Sequence, residues 1–484
     1  MLVYAVDVGT TNTKVVLFDG DLHRLAVSSA PAVYHREDVS VEFDASTLFE
    51  SVLDLIHQCS RAVADTSAHD AVIVLTGQAE SLVLNDEHGR PVRPGMSWLD
   101  DRAATLAVEI AERFGTDAAF AVTGQPVSSA TWPAAKLRWL GHHEPAVLEK
   151  TAAVLMVKDE MIRRLTGAAA GEVTTRGFTY MYDVRARHPW SEMLDYLAVD
   201  PSQLAETVPA GTDVGEVQAA VLDRLPRSAS YRVNAGALDH FCAMVGTGSY
   251  RPRVVSESAG TVLSLSVLTE GWTFDEDHKV SFHAGLETDD VVLFNGVDSG
   301  GVALDWYRRE GLSDMGYDEL ERRLRARGAA TAPIFLPYLT GVNPPDFFAD
   351  AHGAFLGLTL GHDRIDLAYA VEEGIAHLLH RNVEYLQTPG PPEIVSTGGG
   401  AASSFWNQLK ADVCGVDVVV PDEQEATCRG AAVLALRAAG GIDDIADAAH
   451  LNQPAAARYT PTDVVGRAER YRRFDDYLNR LFDH

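Results

Sequence analysis

The chain has 484 residues, too many for one typical hydrophobic core, so two domains are expected. With 40 Lys and Arg against 69 Asp and Glu, the net charge is -29, which disfavours nucleic acid and anionic membrane surfaces as partners. Because no stretch is apolar enough to span a bilayer, no basic signal segment opens the chain and the four cysteines lack CxxC spacing, we expect a cytoplasmic protein with reduced thiols.

The first predicted element is a β-hairpin over residues 3–19. β-Branched and apolar residues flank a Gly-Thr-Thr-Asn turn at residues 9–12, and Asp7 is a lone carboxylate near the end of the first strand. Gly9 allows a ligand to approach the backbone, and successive N–H groups in such a turn can hold phosphate oxygens. The structural alternative is a hairpin with a polar turn, but further stretches of the chain suit the same ligand.

Strands and helices then alternate, which predicts an α/β fold. Residues 45–65 carry the apolar stripe of an amphipathic helix, and residues 71–75 form a buried strand. That strand runs directly into Gln78, Ala79 and Glu80. Because α/β proteins bind ligands in loops after the carboxyl ends of strands, we expect this loop to face a ligand.

A helix of small apolar residues begins at Asp239, within residues 236–248. An Asp at this position is favoured by the helix dipole alone, which is the structural interpretation. The functional interpretation is a general base held in a cleft. After an expected domain boundary near residues 249–253, residues 254–265 repeat the order of strand, Gly-Thr turn and strand. This recurrence predicts a duplicated fold with two phosphate-binding turns across one cleft.

Two glycine-rich stretches in the second half suit a nucleotide. Residues 299–306 form a glycine turn that enters a helix, where backbone N–H groups are free. Residues 394–401 form a strand that ends in three glycines, and glycine lets an adenine or ribose lie against the backbone. A flexible turn is the structural alternative for the second stretch.

These stretches resemble the motifs of the FGGY carbohydrate kinases, in the actin–hexokinase–Hsp70 superfamily of ATP-binding proteins. Residues 3–19 and 254–265 resemble the two phosphate motifs, and residues 394–401 resemble the adenosine motif. Residues 98–102 match the W-x-D-x-R motif beside the sugar pocket, and residues 236–248 resemble the motif that carries the catalytic base. The order and spacing of these motifs carry the resemblance, which covers nearly the whole chain.

The resemblance implies an α/β fold with two ribonuclease H-like (actin-like ATPase) domains, residues 1–248 and 249–484, around a central cleft. It implies an ATP-dependent kinase that uses Mg²⁺, with Asp239 as catalytic base and Asp7 at the metal. Lys14 could equally be a surface lysine. The ATP-binding residues it implies are Thr10, Thr11, Asn12, Lys14, Gly260, Thr261, Gly301, Asp305, Gly399, Gly400 and Ser404. The substrate-binding residues it implies are Gln78, Glu80, Trp98, Asp100, Arg102 and Asp239.

The substrate is expected to be a small neutral sugar. Gln78, Ala79 and Glu80 lie where xylulokinases carry Q-M-H and glycerol kinases carry Q-R-E, so Glu80 matches the polyol pattern while Ala79 matches neither. A carboxylate accepts hydrogen bonds from hydroxyls and disfavours an acid such as gluconate. The K-L-x-W-L segment beginning at Lys136 resembles xylulokinases, which favours a ketopentose such as xylulose. Glycerol or a four-carbon polyol is the alternative substrate. A function from a different class, a non-catalytic ATP-binding regulator, is the other alternative. A homodimer is one possible oligomeric state.

Overall fold

The computed structural model describes residues 1–269, 271–272, 278–297, 299–327, 332–341, 346, 351–386, 393–445 and 455–482. The strands of the first half are β1 (Leu2–Val8), β2 (Asn12–Asp19), β3 (Arg24–Pro31), β4 (His35–Glu37), β5 (Ser40–Phe43), β6 (Asp70–Gly77), β7 (Leu82–Asn85), β8 (Gly95–Met96), β9 (Ala153–Met156), β10 (Ala170–Glu172), β11 (Tyr182–Asp183), β12 (His188–Pro189), β13 (Glu206–Val208), β14 (Asp213–Glu216) and β15 (Ser230–Leu238). Its helices are α1 (Ala45–Ser60), α2 (Ala104–Phe114), α3 (Thr116–Thr123), α4 (Pro133–His143), α5 (Pro145–Lys150), α6 (Val157–Thr166), α7 (Val173–Arg176), α8 (Ser191–Leu197), α9 (Ala219–Leu222) and α10 (Asp239–Thr247).

The strands of the second half are β16 (Val255–Ala259), β17 (Leu263–Thr269), β18 (Ser281–Ala284), β19 (Val291–Val297), β20 (Ile334–Leu336), β21 (Ala354–Leu356), β22 (Glu393–Thr397), β23 (Asp417–Pro421) and β24 (Ala455–Tyr459). Its helices are α11 (Gly301–Gly311), α12 (Tyr317–Arg327), α13 (Arg364–Tyr385), α14 (Ser404–Cys414), α15 (Ala426–Ala438) and α16 (Val464–Phe482). Among the described residues, no helix combines the length and the apolar character needed to cross a bilayer.

Each half contains one large mixed sheet with the same strand arrangement. The first sheet has the order β14-β15-β6-β1-β2-β3, in which β1 to β3 form an antiparallel meander and β1, β6 and β15 are parallel. The second has the order β18-β19-β17-β16-β22-β23-β24, in which β16, β17 and β19 form the meander and β16, β22 and β23 are parallel. The matching order confirms the predicted duplication.

Helices α10 and α15 cross between the two halves with their backbones in contact. A Cβ built at Gly430 would lie 1.8 Å from the carbonyl oxygen of Cys242, and one built at Gly246 would lie 1.9 Å from that of Ala426. Only glycine allows this separation. The small apolar residues of α15 pack in one core with Val3 and other residues of the first sheet, so a helix late in the sequence completes the packing of the first half. The predicted boundary at residues 248 and 249 stays a prediction.

The first half also carries a large insertion that the hydrophobic pattern did not predict. Its five-stranded sheet has the order β4-β5-β8-β7-β9 and packs with α2, α4 and α8 around a separate core. The predicted hairpin, helix and buried strand are confirmed as β1 with β2, as α1 and as β6.

Candidate active site

Three parallel strands end side by side at the cleft. Asp7 of β1 pairs with Thr76 of β6, and Gly77 at the end of β6 pairs with Leu238 at the end of β15. The turn at residues 9–12, the loop after β6 and the start of α10 therefore leave the sheet at one edge. Open α/β sheets bind ligands at this edge.

A cleft of about 630 Å³ separates the two sheets. From the first half it is lined by Asp7, Gly9, Lys14, Asp239 and His240. From the second half it is lined by Ser256, Ser258, Ser264, Ser266, Ser396, Thr397, Gly398, Ala401, Ala402 and residues 420–421 and 423–428. The lining residues on β16, β17 and β22 are serine or threonine, so an extended ligand can lie close to these strands.

Asp239 occupies the first position of α10 and lies near two other carboxyl groups. Its Oδ1 accepts a hydrogen bond of 2.7 Å from the backbone N–H of His240, and its side chain is 31% exposed to the cleft. Its negative charge contributes to the raised pKa values of both Asp7 and Glu80. Asp239 therefore lies near both Asp7, which precedes the first phosphate turn, and Glu80, which belongs to the loop after β6, so the three carboxyl groups belong to one site.

Asp7 is a partly buried residue whose carboxyl group lacks a complete set of partners. Burial, and then the charge of Asp239, raises its pKa to about 7, and Lys14 opposes the shift. Its Oδ1 is buried and has no hydrogen-bond partner among the described residues. An orphaned buried carboxylate oxygen is costly in a finished structure, so it indicates a ligand or cation at this position.

Lys14 lines the cleft and is not an isolated surface lysine. It pairs with Asp7 across β1 and β2, so both side chains lie on the same face of the hairpin. Its Nζ donates a hydrogen bond of 2.6 Å to Oε2 of Glu425, which immediately precedes α15. A cation of the first phosphate turn is therefore paired with a carboxylate from the second half of the chain.

The W-x-D-x-R segment contacts the first phosphate turn through Trp98, whose Nε1 donates to Oγ1 of Thr10 at 2.8 Å. Asp100 is wholly buried, and its carboxylate accepts from Arg102 and from the backbone N–H of Val41. Arg102 also donates to Glu42 at 2.7 Å. Asp100, Arg102 and Glu42 thus form an ion-pair network that fixes the segment following Trp98.

Glu80 and Gln78 lie on different sides of the loop after β6. Burial raises the pKa of Glu80 to about 8, while Lys136 opposes the shift and Asp239 adds to it. Glu80 adopts a left-handed backbone conformation (φ 62°), which is rare for this residue and common at ligand sites. Gln78 instead lines a separate cavity of about 90 Å³ behind the turn, and its Nε2 lies 3.4 Å from the carbonyl oxygen of Gly9.

Lys136 of α4 is a candidate that the sequence reasoning did not include among the site residues. It is wholly buried, and its Nζ donates to the carbonyl oxygens of Ala130, at 3.1 Å, and Thr131. Burial lowers its pKa to about 7, while the charges of Glu80 and Asp100 oppose that shift. The available signal was a lysine on the apolar face of a predicted amphipathic helix.

The second phosphate turn is fastened to the start of α11. The backbone N–H of Gly301 donates to the carbonyl oxygen of Gly260 at 2.9 Å, and that of Val302 donates to Thr261 at 3.0 Å. Gly260 and Thr261 are exposed. Asp305 lies further along α11, where it is exposed and accepts a hydrogen bond from Tyr317.

At the glycine-rich turn after β22, the cleft is lined by Gly398 and by Ala401 and Ala402. Gly398 has a φ of +82°, and a Cβ there would lie 2.8 Å from the carbonyl oxygen of Ala259, so this position requires glycine. The predicted Gly399 and Gly400 lie between these lining residues. Ser404 instead donates to Glu321 at 2.8 Å, within a polar cluster at the start of α14.

Comparison with known proteins agrees with this geometry. The N-terminal domain of the FGGY family of carbohydrate kinases matches residues 2–246, and its C-terminal domain matches residues 261–439. A xylulose kinase of Staphylococcus xylosus is 25% identical over 444 residues, 90% of each chain, and a gluconokinase of Bacillus subtilis is 26% identical over 487 residues, 96% of this chain and 93% of the relative. The ligand-bound xylulose kinase structure from Lactobacillus acidophilus superimposes with a TM-score of 0.92 at 23% identity, covering 99% of this chain and 98% of that one. The fold is therefore the predicted α/β arrangement of two actin-like ATPase domains, and the chain belongs to the FGGY family of carbohydrate kinases, which are ATP-dependent.

Proposed function

We propose that this kinase transfers the γ-phosphate of ATP to a hydroxyl of a ketopentose such as xylulose, with Asp239 as the catalytic base. The observation that carries this proposal is the position of Asp239 at the start of α10, where it lines the cleft together with Asp7 and Lys14 of the phosphate hairpin. A base for this reaction has to reach the acceptor hydroxyl on one side and the phosphate on the other. A non-catalytic ATP-binding regulator, the alternative from another class, would not need a carboxylate here.

Asp239 would take the proton of the sugar hydroxyl as its oxygen bonds to the γ-phosphorus and the bond to ADP breaks. The backbone N–H of His240 orients Oδ1, so the carboxylate is held in place at the start of a helix. General-base assistance of this kind contributes about 10²- to 10⁴-fold to rate. Positioning and charge stabilisation supply the rest, because phosphoryl transfer demands little other covalent chemistry.

The phosphates of ATP would lie between the two Gly-Thr turns. We assign Thr10, Thr11 and Asn12 to one side and Gly260, Thr261 and Gly301 to the other, with Gly399 and Gly400 beside the adenosine. Backbone N–H groups in such turns suit phosphate oxygens. Asp305 and Ser404 stay predictions from the sequence, because the side chain of each forms a hydrogen bond with a neighbouring side chain, Tyr317 and Glu321 respectively.

The residues present also fit Mg²⁺. Oδ1 of Asp7 is the orphaned buried oxygen described above, and carboxylate oxygen is a ligand type that Mg²⁺ prefers, often through a water. When bound, the ion would neutralise part of the triphosphate charge. Asp7 would hold it at the end of β1, while Lys14 supplies a second positive charge from β2.

The sugar would lie against Glu80 and Trp98, with the Asp100–Arg102 ion pair fixing the segment that follows Trp98. The cations whose charge acts on this pocket are already engaged: Arg102 with Asp100 and Glu42, and Lys136 with two backbone carbonyls. An acidic sugar such as gluconate would meet the carboxyl group of Asp239 instead, which favours a neutral substrate. Gln78 contributes behind the phosphate turn rather than at the sugar.

A substrate panel tests this proposal. ATP-dependent ADP release would be measured with xylulose, ribulose, glycerol, erythritol and gluconate, using Asp239→Asn as the inactive control. We expect the highest kcat/KM with a ketopentose and the lowest with gluconate. Glycerol or erythritol as the best substrate would favour the polyol alternative, and gluconate as the best would refute the charge argument.

A cytoplasmic location and a homodimer stay predictions.

A further inference from the structure

The Lys14–Glu425 ion pair joins two parts of the cleft that are 411 residues apart in sequence. The Nζ to Oε2 distance is 2.6 Å, and the side chains are 31% and 15% exposed. Lys14 lies beside Asp7 on the first phosphate hairpin, and Glu425 lies at the N-terminal end of α15. An incoming triphosphate would therefore meet a lysine that already has an anionic partner.

Glu425 has a favourable environment that does not depend on Lys14. It is the residue immediately before α15, where the helix dipole stabilises negative charge. Its backbone N–H donates to Oε1 of Glu423 at 2.8 Å, and its carbonyl oxygen accepts from the N–H of Arg429 at 2.8 Å. These two hydrogen bonds hold the backbone of Glu425 in place, and the helix dipole supports its carboxylate after the lysine leaves.

The backbone that carries Glu425 is fixed relative to the catalytic carboxylate. Helix α15 contacts α10 backbone to backbone at Gly430 and Gly246, and α10 begins at Asp239. The ammonium of a lysine, in contrast, is a flexible point charge on a long stem. A change of partner by Lys14 therefore requires rotation of its side chain and leaves α15 in place.

We propose that Glu425 is a positioning residue that holds Lys14 beside Asp7 and yields it to a phosphate oxygen when the nucleotide binds. This inference rests on the proposed position of the ATP phosphates. The triphosphate carries more negative charge than one carboxylate, so it wins the competition for the lysine. Part of the binding free energy of the nucleotide is used to break the ion pair, so the pair lowers nucleotide affinity. When the pair forms again after the reaction, it favours release of ADP.

The decisive variant is Glu425→Gln, which keeps the shape of the side chain and removes its charge. We expect it to tighten the Kd for ADP by about threefold to thirtyfold, the range expected for losing a partly buried, charge-assisted hydrogen bond as a competitor. The KM for ATP should fall while kcat does not rise. Weaker ADP binding in Glu425→Gln would overturn the inference, because it would make Glu425 a direct support of the nucleotide.

A double-mutant comparison tests whether Glu425 acts through Lys14. Lys14→Ala should weaken ADP binding, and adding Glu425→Gln to Lys14→Ala should change the Kd no further. If the tightening persisted without Lys14, the effect would belong to the general charge of the cleft and the inference would be wrong. Should Glu425→Gln fail to fold, Glu425→Asp shortens the same side chain and should tighten binding by a smaller factor.

Asp422→Asn provides the matched control. It removes one negative charge from the same loop, but Asp422 is exposed and does not line the cleft that holds Lys14. We expect its Kd for ADP to stay within about twofold of the wild-type value, since solvent and salt screen an exposed charge. Equal tightening in both variants would refute the inference.

Calorimetry without sugar separates this inference from the proposed function, because a wild-type protein that binds no ADP would refute the proposed function itself.

Discussion

Substitution of Gly430 by Ala should disturb both the stability and the catalytic geometry of this kinase. The new Cβ would lie 1.8 Å from the carbonyl oxygen of Cys242, whereas ordinary contact begins at 3.4 Å. The obstacle is backbone within α10, so no side-chain rotation relieves the overlap. Helices α10 and α15 must separate by about 1.6 Å to restore ordinary contact.

The magnitude follows from this overlap. Overpacking a close contact costs about 1–3 kcal/mol, and the better helix propensity of Ala returns somewhat less than about 1 kcal/mol. A net loss of about 1–2 kcal/mol corresponds to a fall in apparent Tm of about 2–8 °C for domains of this size. Because α10 begins at Asp239, a shift of about 1 Å in the base should also lower kcat by roughly 10²-fold.

The assay combines thermal unfolding with steady-state kinetics on the best sugar. Gly316→Ala is the control, since a Cβ at Gly316 meets no heavy atom within 4 Å. We expect the control to match the wild type in both measurements. A Gly430→Ala protein with unchanged Tm and kcat would refute the view that the two helices must stay in backbone contact.

Three further predictions concern carboxyl groups of the site. Asp239→Asn should lower kcat by about 10²- to 10⁴-fold with little change in the Kd for ADP measured by calorimetry, and a folded variant within a few-fold of wild-type turnover would exclude the base assignment. Asp7→Ala should raise the Mg²⁺ concentration needed for half-maximal turnover more than it raises the sugar KM, whereas an unchanged Mg²⁺ titration would make Asp7 purely structural. Because the pKa of Glu80 is raised from 4.5 to about 8, the folded protein holds a proton there that the unfolded chain loses. Stability should therefore fall as pH rises from about 4.5 to about 8. Glu80→Gln should flatten that fall in Tm, and equal slopes in both proteins would contradict the shift.

The parts of the site that sequence could predict are those set by local chemistry. The hairpin at residues 3–19 combines strand-forming residues with a glycine turn, and Asp239 stands out as a carboxylate opening an apolar helix. Both patterns constrain the backbone within a few residues. The structure brings Asp7 and Asp239 to one edge of one sheet, because β1 and β15 run parallel on either side of β6.

Side-chain direction and long-range pairing could not be predicted in the same way. Gln78 and Glu80 are two residues apart, yet Gln78 lines the cavity behind the turn and Glu80 does not. Glu80 adopts a positive φ that its residue type does not signal. The partner of Lys14 is 411 residues away, so no local pattern could identify Glu425. The sequence places Lys136 on a predicted amphipathic helix, and only the packing of α4 shows that its ammonium group is buried.

The duplicated sheets and the insertion explain why phosphate and sugar recognition are separable in this chain. Each sheet supplies a Gly-Thr turn after its first strand, so the duplication by itself accounts for two turns across a cleft. The insertion with β4-β5-β8-β7-β9 belongs to the first half, and it carries Trp98, Asp100 and Lys136. Substitutions in the insertion should therefore alter sugar choice with small effects on ADP affinity. The exception should be Trp98, whose hydrogen bond to Thr10 connects the insertion to the first phosphate turn.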